Sequence, residues 1–145
     1  WLGCTNGTLF SLIEALRYFP FSLQVALPPL EDRPTLEAYA RHCGVKVDFV
    51  DTPQQAVEGC NFVYAGCRSG LDDELAQQWK GDDALLSHAD QKARVLLGTS
   101  PMQAIEVASD ILASPASLLL LQSENRLRVH KRLLHWVFLE NERVI

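Results

Sequence analysis

The stretch Val45-Lys46-Val47-Asp48-Phe49-Val50, continued by Asp51-Thr52-Pro53 and, past Gly59, by Asn61-Phe62-Val63-Tyr64-Ala65, decides the fold class of this chain. Apolar and polar residues alternate along residues 45–50, the pattern of a half-buried strand. Asp51 and Thr52 offer side-chain acceptors for the free N–H groups of a helix start, and Pro53 suits a first turn, so a short helix ending at Gly59 follows. Asn61 to Ala65 then reads as another strand. A strand, a helix and a strand in such quick succession form the repeating unit of a parallel sheet covered by helices.

The alternation extends in both directions. Upstream, Trp1 to Gly3 is a strand that turns through Cys4-Thr5-Asn6-Gly7 into a helix over about Thr8 to Phe19, with Leu9, Leu12, Ile13 and Leu16 on one buried face and Pro20 as its stop. Ser22 to Leu27 is a second strand, ended at Pro28-Pro29, where two ladder donors are missing. A helix from Pro34 or Thr35 to His42 closes on Gly44 as a left-handed stop. Downstream, Gly66 to Asp83 reads as a long loop holding a short helix near Glu74 to Trp79. Arg94 to Leu97 is a strand, Glu106 to Ala113 a helix, and Leu118 to Leu121 a strand apolar on both faces and therefore central. Ser123-Glu124-Asn125-Arg126 opens a last helix reaching about Glu140. The expected fold is a single doubly wound, Rossmann-like α/β domain over residues 1–145, with a mainly parallel sheet of about five strands and helices on both faces.

Composition agrees with one domain and narrows its partners. The chain has 145 residues, 48% hydrophobic and 21% charged, with mean hydropathy near zero. A domain of this length buries roughly two-thirds of its unfolded surface and needs no metal or disulfide to hold a core. The net charge of -5 gives no field that favours nucleic acid or an anionic membrane surface. No apolar run is longer than Leu118 to Leu121, far short of the roughly 20 residues a membrane span requires. Cys4, Cys43, Cys60 and Cys67 lack metal-ligand spacing, so no metal or other cofactor is expected, and they read as reduced thiols of a cytoplasmic protein. The opening at Trp1, inside an apolar stretch, suggests a chain that starts at a domain boundary, with an upstream half missing.

In an open parallel sheet, ligands sit at the carboxyl ends of the strands, over helix N-termini. That rule selects four loops: Cys4 to Thr8, Gly66 to Gly70, Gly98 to Pro101 and Gln122 to Arg126. Gly3 and Gly7 make no dinucleotide or Walker pattern. Ser11, His42, His88, His130 and His135 share no catalytic spacing, and Asp72-Asp73-Glu74 and Asp82-Asp83 read as solvated charges at helix starts.

A family resemblance runs through these loops. Glu106-Val107, Ser114-Pro115, Ser117-Leu118 and Glu124-Asn125-Arg126 resemble, without a gap, the E-V-x-D-x-V-x-x-S-P-x-S run and the E-A-E-N-R signature that end the ornithine carbamoyltransferases. Trp1-Leu2-Gly3-Cys4-Thr5-Asn6-Gly7, with Ser11-Leu12 after it, is similar to the W-I/L-G-D-G-N-N loop and S-L/I helix that open the family's second domain. The resemblance implies an amino-acid-binding domain for residues 1–145. The carbamoyl phosphate domain, with its S-x-R-T and H-P-x-Q motifs, is absent from the sequence. It implies as partners a small-molecule amino acid or carbamoyl phosphate analogue, the missing N-terminal domain, and a homo-oligomer. The family reaction, attack of a neutral amine on a carbamoyl carbon, rests on proximity and oxyanion stabilisation. Half of that apparatus is lacking, so the chain alone is expected to be inactive.

Carried over residue by residue, the resemblance places the substrate site at Asn6, Gly7, Gly66, Ser69, Gly70, Thr99, Ser100, Pro101 and Arg126. Gly7 stands for the second asparagine of the N-N pair, and Gly66 for the aspartate that would neutralise the substrate ammonium. Ser69-Gly70 is a shortened S-M-G. Thr99, Ser100 and Pro101 stand in the H-C-L-P loop, where only the proline matches. Arg126 keeps the guanidinium expected at the carbamoyl oxygen, and it equally suits the cap of a helix start. An ammonium without its carboxylate is costly to desolvate, so ornithine binding is expected to be weak. Two functions fit: the amino-acid-binding part of a carbamoyltransferase acting on another amine, or a non-catalytic relative serving as a scaffold.

Overall fold

The computed structural model describes residues 1–66, 71–97 and 107–140. Helix α1 spans Gly7–Ala15, followed by strand β1 at Gln24–Ala26, α2 at Arg33–Cys43 and β2 at Asp48–Val50. Next come α3 at Pro53–Val57, β3 at Phe62–Ala65, α4 at Asp73–Gln78 and α5 at Asp83–Leu86. Strand β4 at Arg94–Leu97, α6 at Ser109–Ala113 and α7 at Leu119–His135 follow, and α7 runs on as a π-helical turn over Trp136–Glu140.

Local chemistry sets the boundaries. The Asn6 side chain accepts from the N–H groups of Thr8 and Leu9 at 2.9 and 3.2 Å and starts α1. Asp32 accepts from Thr35 N–H to start α2, and Gly44 at φ 69° ends it, as the sequence predicts. Thr52 and Gln55 exchange side-chain and backbone bonds in a capping box ahead of α3.

The strands are parallel. β1 pairs with β2, Val25 opposite Phe49, and β3 pairs with β4, Val63 opposite Val95. Leu2 joins the two pairs through parallel bridges to Ala26 and Ala65. Its neighbours continue the ladder: Ala26 N–H donates to Trp1 O at 3.0 Å, Leu2 N–H to Tyr64 O at 3.0 Å, and Gly66 N–H to Leu2 O at 2.6 Å. Beyond β4, Ser117 bridges Val95.

Successive strand residues face opposite sides, and the core divides accordingly. Trp1, Leu23 and Val25 pack with Leu9 and Ile13 of α1 and Leu36 and Ala40 of α2. Leu2, Ala26 and Val63 pack on the other face with Ala56 and Val57 of α3, Leu85 of α5 and Trp79. A third cluster joins Ala65, Val95 and Leu97 to Val107 and to Ile111 of α6. The result is an α/β fold with helices on both faces.

Three expectations fail. Leu118 to Leu121 is not a strand: among the described residues Ser117 makes the only bridge there, α7 begins at Leu119, and Leu120 is 84% exposed. An all-leucine run carries no periodicity of its own and leucine is a strong helix former, so the run joins the helix that follows. Consequently Ser123-Glu124-Asn125-Arg126 does not open the last helix but lies inside it. The first helix stops at Ala15 rather than Phe19, because Pro20 disfavours helical geometry at Phe19, and Tyr18 and Phe19 turn into solvent. Helix α5 begins at Asp83, where the long polar loop is expected to end.

Candidate functional site

The carboxyl ends of the Leu2 segment and of β3 meet at Gly66 N–H and Leu2 O, and the N-terminus of α1 starts just beyond Gly3. The Asn6 amide oxygen is engaged in capping α1. Gly7 has an ordinary backbone, and a β-carbon added to it would meet nothing within 4 Å, so its missing side chain is no requirement of the fold. Thr5 N–H donates to the Glu31 carboxylate at 2.8 Å, which brings an acidic group from the loop after β1 to this edge. The Thr5 hydroxyl is buried without a partner.

Gly66 is different. A β-carbon there would lie 2.6 Å from Cζ2 of Trp1 and 2.9 Å from Leu2 O, closer than real contacts allow. The Trp1 indole cannot easily withdraw: it is buried, donates from Nε1 to Gly3 O at 3.1 Å, and stacks on Tyr64 with ring centroids 4.7 Å apart. The place where the resemblance puts a carboxylate is filled by an indole.

Tyr64 connects this edge to the last helix. Burial pushes its phenol upward in pKa, while its hydrogen bond with Thr8 and the positive charge of Arg126 pull it down. Arg126 sits two turns into α7, not at a helix start, so it caps nothing there and projects beside a hollow of about 330 Å³ lined by Leu96, Gln122 and His130. Gln122 holds α7 against the sheet. Its side-chain amide accepts from Leu97 N–H at 3.0 Å and donates to Leu97 O at 3.1 Å, as a neighbouring strand would.

Of the expected site residues, Asn6, Gly7 and Gly66 share one edge, and Arg126 reaches it electrostatically through Tyr64. Ser69, Gly70, Thr99, Ser100 and Pro101 lie outside the described residues. The sequence reading named Thr8 and Gln122 only as ends of ligand-facing loops and missed Tyr64 and Glu31. Tyr64 carried a signal, being a phenol inside an otherwise apolar strand just before a ligand-facing loop. Among the described residues no cluster of His, Cys, Asp or Glu suits a metal ion, and no helix is long and apolar enough to cross a membrane.

The chain is thus a parallel α/β domain with a glycine-bearing turn into α1 and a guanidinium near the end of β4. Residues 1–137 match the family model for the Asp/Orn binding domain of aspartate/ornithine carbamoyltransferase, and the chain belongs to that family. It is 33% identical over 149 aligned positions to the ornithine carbamoyltransferase of Nitratidesulfovibrio vulgaris strain DP4, covering 97% of this chain and 50% of that protein. Against the enzyme of Oleidesulfovibrio alaskensis the identity is 33%, over 94% of this chain and 49% of the relative. The chain thus spans about half the length of the curated relatives it matches. Among solved structures, ornithine carbamoyltransferase from Burkholderia thailandensis superposes with a TM-score of 0.79 at 27% identity, over 96% of this chain and 46% of that one. The mitochondrial enzyme of Coccidioides immitis, at 20% identity, shares the fold with a TM-score of 0.84, over 100% of this chain and 49% of that one.

Proposed function

We propose that residues 1–145 are the amino-acid-binding domain of a carbamoyltransferase-type protein, which transfers a carbamoyl group to an amine other than ornithine only together with a carbamoyl phosphate domain. The observation that carries this reading is the convergence of the Asn6-capped start of α1, the Thr8–Tyr64 pair and the Arg126 charge on one edge of the sheet. Such a set suits an anionic or carbonyl oxygen. Thr99 and Ser100 complete the contact in this proposal, and Ser69, Gly70 and Pro101 line its approach. Ornithine binds weakly, since the Trp1 indole occupies the space a carboxylate at Gly66 would need.

The doubly wound arrangement with about five strands is part of the same reading. The single-residue bridges at Leu2 and Ser117 support it, each extending a two-stranded pair in parallel. A cytoplasmic location accords with the unoxidised Cys43 and Cys60. The exposed Trp136 and Phe138 at the end of α7 mark the surface that meets the carbamoyl phosphate domain or a second copy.

Titrating the chain with ornithine, aspartate, N-acylated ornithines and phosphate, while following amide shifts, tests the proposal. Saturable shifts at Asn6, Thr99, Ser100 and Arg126 with one of the non-ornithine compounds are expected, and so is an absence of citrulline formation by this chain alone. A tight response to ornithine contradicts the role given to Gly66. The alternative of a non-catalytic scaffold draws on the losses at Gly7 and Gly66. It gains if no compound shifts any of these amides.

A further inference from the structure

Along the outer edge of β4 a ladder begins and then changes its means. Val95 N–H donates to Ala116 O at 2.8 Å and Leu118 N–H to Val95 O at 2.9 Å, two rungs of parallel pairing. In the next two rungs Leu97 N–H would meet Leu118 O, and the N–H of Leu120 would meet Leu97 O. Leu118 O is already taken, since Gln122 N–H donates to it at 2.8 Å in the first turn of α7. The Gln122 side chain supplies the replacement: its Oε1 accepts from Leu97 N–H at 3.0 Å and its Nε2 donates to Leu97 O at 3.1 Å. The residue that draws a carbonyl out of the ladder thus returns an amide with the same donor and acceptor pattern.

Little else sets the roll of α7 about its axis. None of its side chains is buried, its start has no side-chain cap, and among the described residues of the helix Leu119 alone joins a core cluster. A helix held by one bond can swivel, whereas two bonds to the backbone of one residue fix its direction. Arg126 lies four positions beyond Gln122, one turn and about 6 Å along the same face. Both side chains line the hollow of about 330 Å³ beside Leu96. We propose that Gln122 is a positioning residue, whose two-point bond to Leu97 fixes the roll of α7 and thereby where the Arg126 guanidinium stands relative to Tyr64 at the strand ends. Gln122 acts through the arginine and touches no ligand itself. Its consequence for binding rests on the role proposed above for Arg126.

Tyr64 gives a readout that needs no ligand. Burial raises its pKa, while the Thr8 hydrogen bond and the Arg126 charge lower it. The test follows the Tyr64 phenol by NMR of labelled tyrosine rings in the unaltered chain and in the variants Arg126→Gln, Gln122→Leu, Gln122→Asn and Ser123→Ala. Arg126→Gln should raise the Tyr64 pKa, and both Gln122 variants should raise it at least half as far. Combining Gln122→Leu with Arg126→Gln should add nothing to the effect of Arg126→Gln alone. Ser123→Ala also loses a hydrogen bond of the first turn, Ser123 Oγ to Leu119 O, but keeps the clasp and should leave Tyr64 unmoved. Tyr39, bonded to Glu14, is the internal control and should titrate alike in every variant. A Tyr64 titration unchanged in both Gln122 variants overturns the proposal, as does one unchanged in Arg126→Gln or one shifted equally by Ser123→Ala. Failure of both Gln122 variants to fold overturns it too, since the clasp is then a condition of the fold and not of one side chain's aim. Ligand affinity enters none of these outcomes, so a failure of the proposed binding role registers separately, in the amide titration with phosphate and the amino acids.

Discussion

The Trp1 indole and the α-carbon of Gly66 are so close that any side chain at position 66 would collide with the ring at 2.6 Å. The collision involves a buried ring, stacked on Tyr64 and hydrogen-bonded to Gly3 O, together with a backbone carbonyl. Neither can give way cheaply. Gly66→Ala is therefore expected to cost about 1–3 kcal/mol by denaturant unfolding, and Gly66→Asp at least as much, with no gain in ornithine affinity. An unchanged midpoint for Gly66→Ala would show that the ring moves aside.

Gly7 should behave in the opposite way, although the resemblance gives both glycines a lost side chain. Its β-carbon position is open and its backbone unstrained. Gly7→Asn is expected to change stability by no more than about 0.5 kcal/mol, whereas Asn6→Ala removes the cap of α1 and costs about 1 kcal/mol. A thermal-melt comparison of the two variants distinguishes the capping residue from the vacant neighbour.

Gln122→Leu should loosen α7. It removes both hydrogen bonds to Leu97 while keeping an apolar side chain of similar length. A loss of about 1–3 kcal/mol is expected, because Leu97 N–H and O both lose their partner. Exchange at the Leu97 amide should quicken in step. If that amide stays protected, the clasp is not what holds the helix.

Caps and stops were readable in the sequence because they depend on local hydrogen bonding. Gly44, Thr52 with Pro53, and the whole of Arg94–Leu97 stand where the sequence pattern puts them. Leu118 to Leu121 was misread because burial, not residue type, separates a central strand from a helix start, and its exposure follows from where α6 and α7 are placed. The site divides in the same way. Asn6 and Arg126 were visible as side chains of the right kind. The obstruction at Gly66 was not, because it depends on a ring sixty-five positions earlier in the chain reaching the same point in space.

Leu2, which joins the two strand pairs, is made before both of its partners, and Ala26 precedes Ala65 by a wide margin. During synthesis the β1–β2 pair has everything it needs well before Ala65 emerges, while the middle of the sheet must wait. The joint at the centre of the sheet therefore closes only after the β1–β2 pair can form, with Leu2 held at one finished edge until β3 arrives to cover the other.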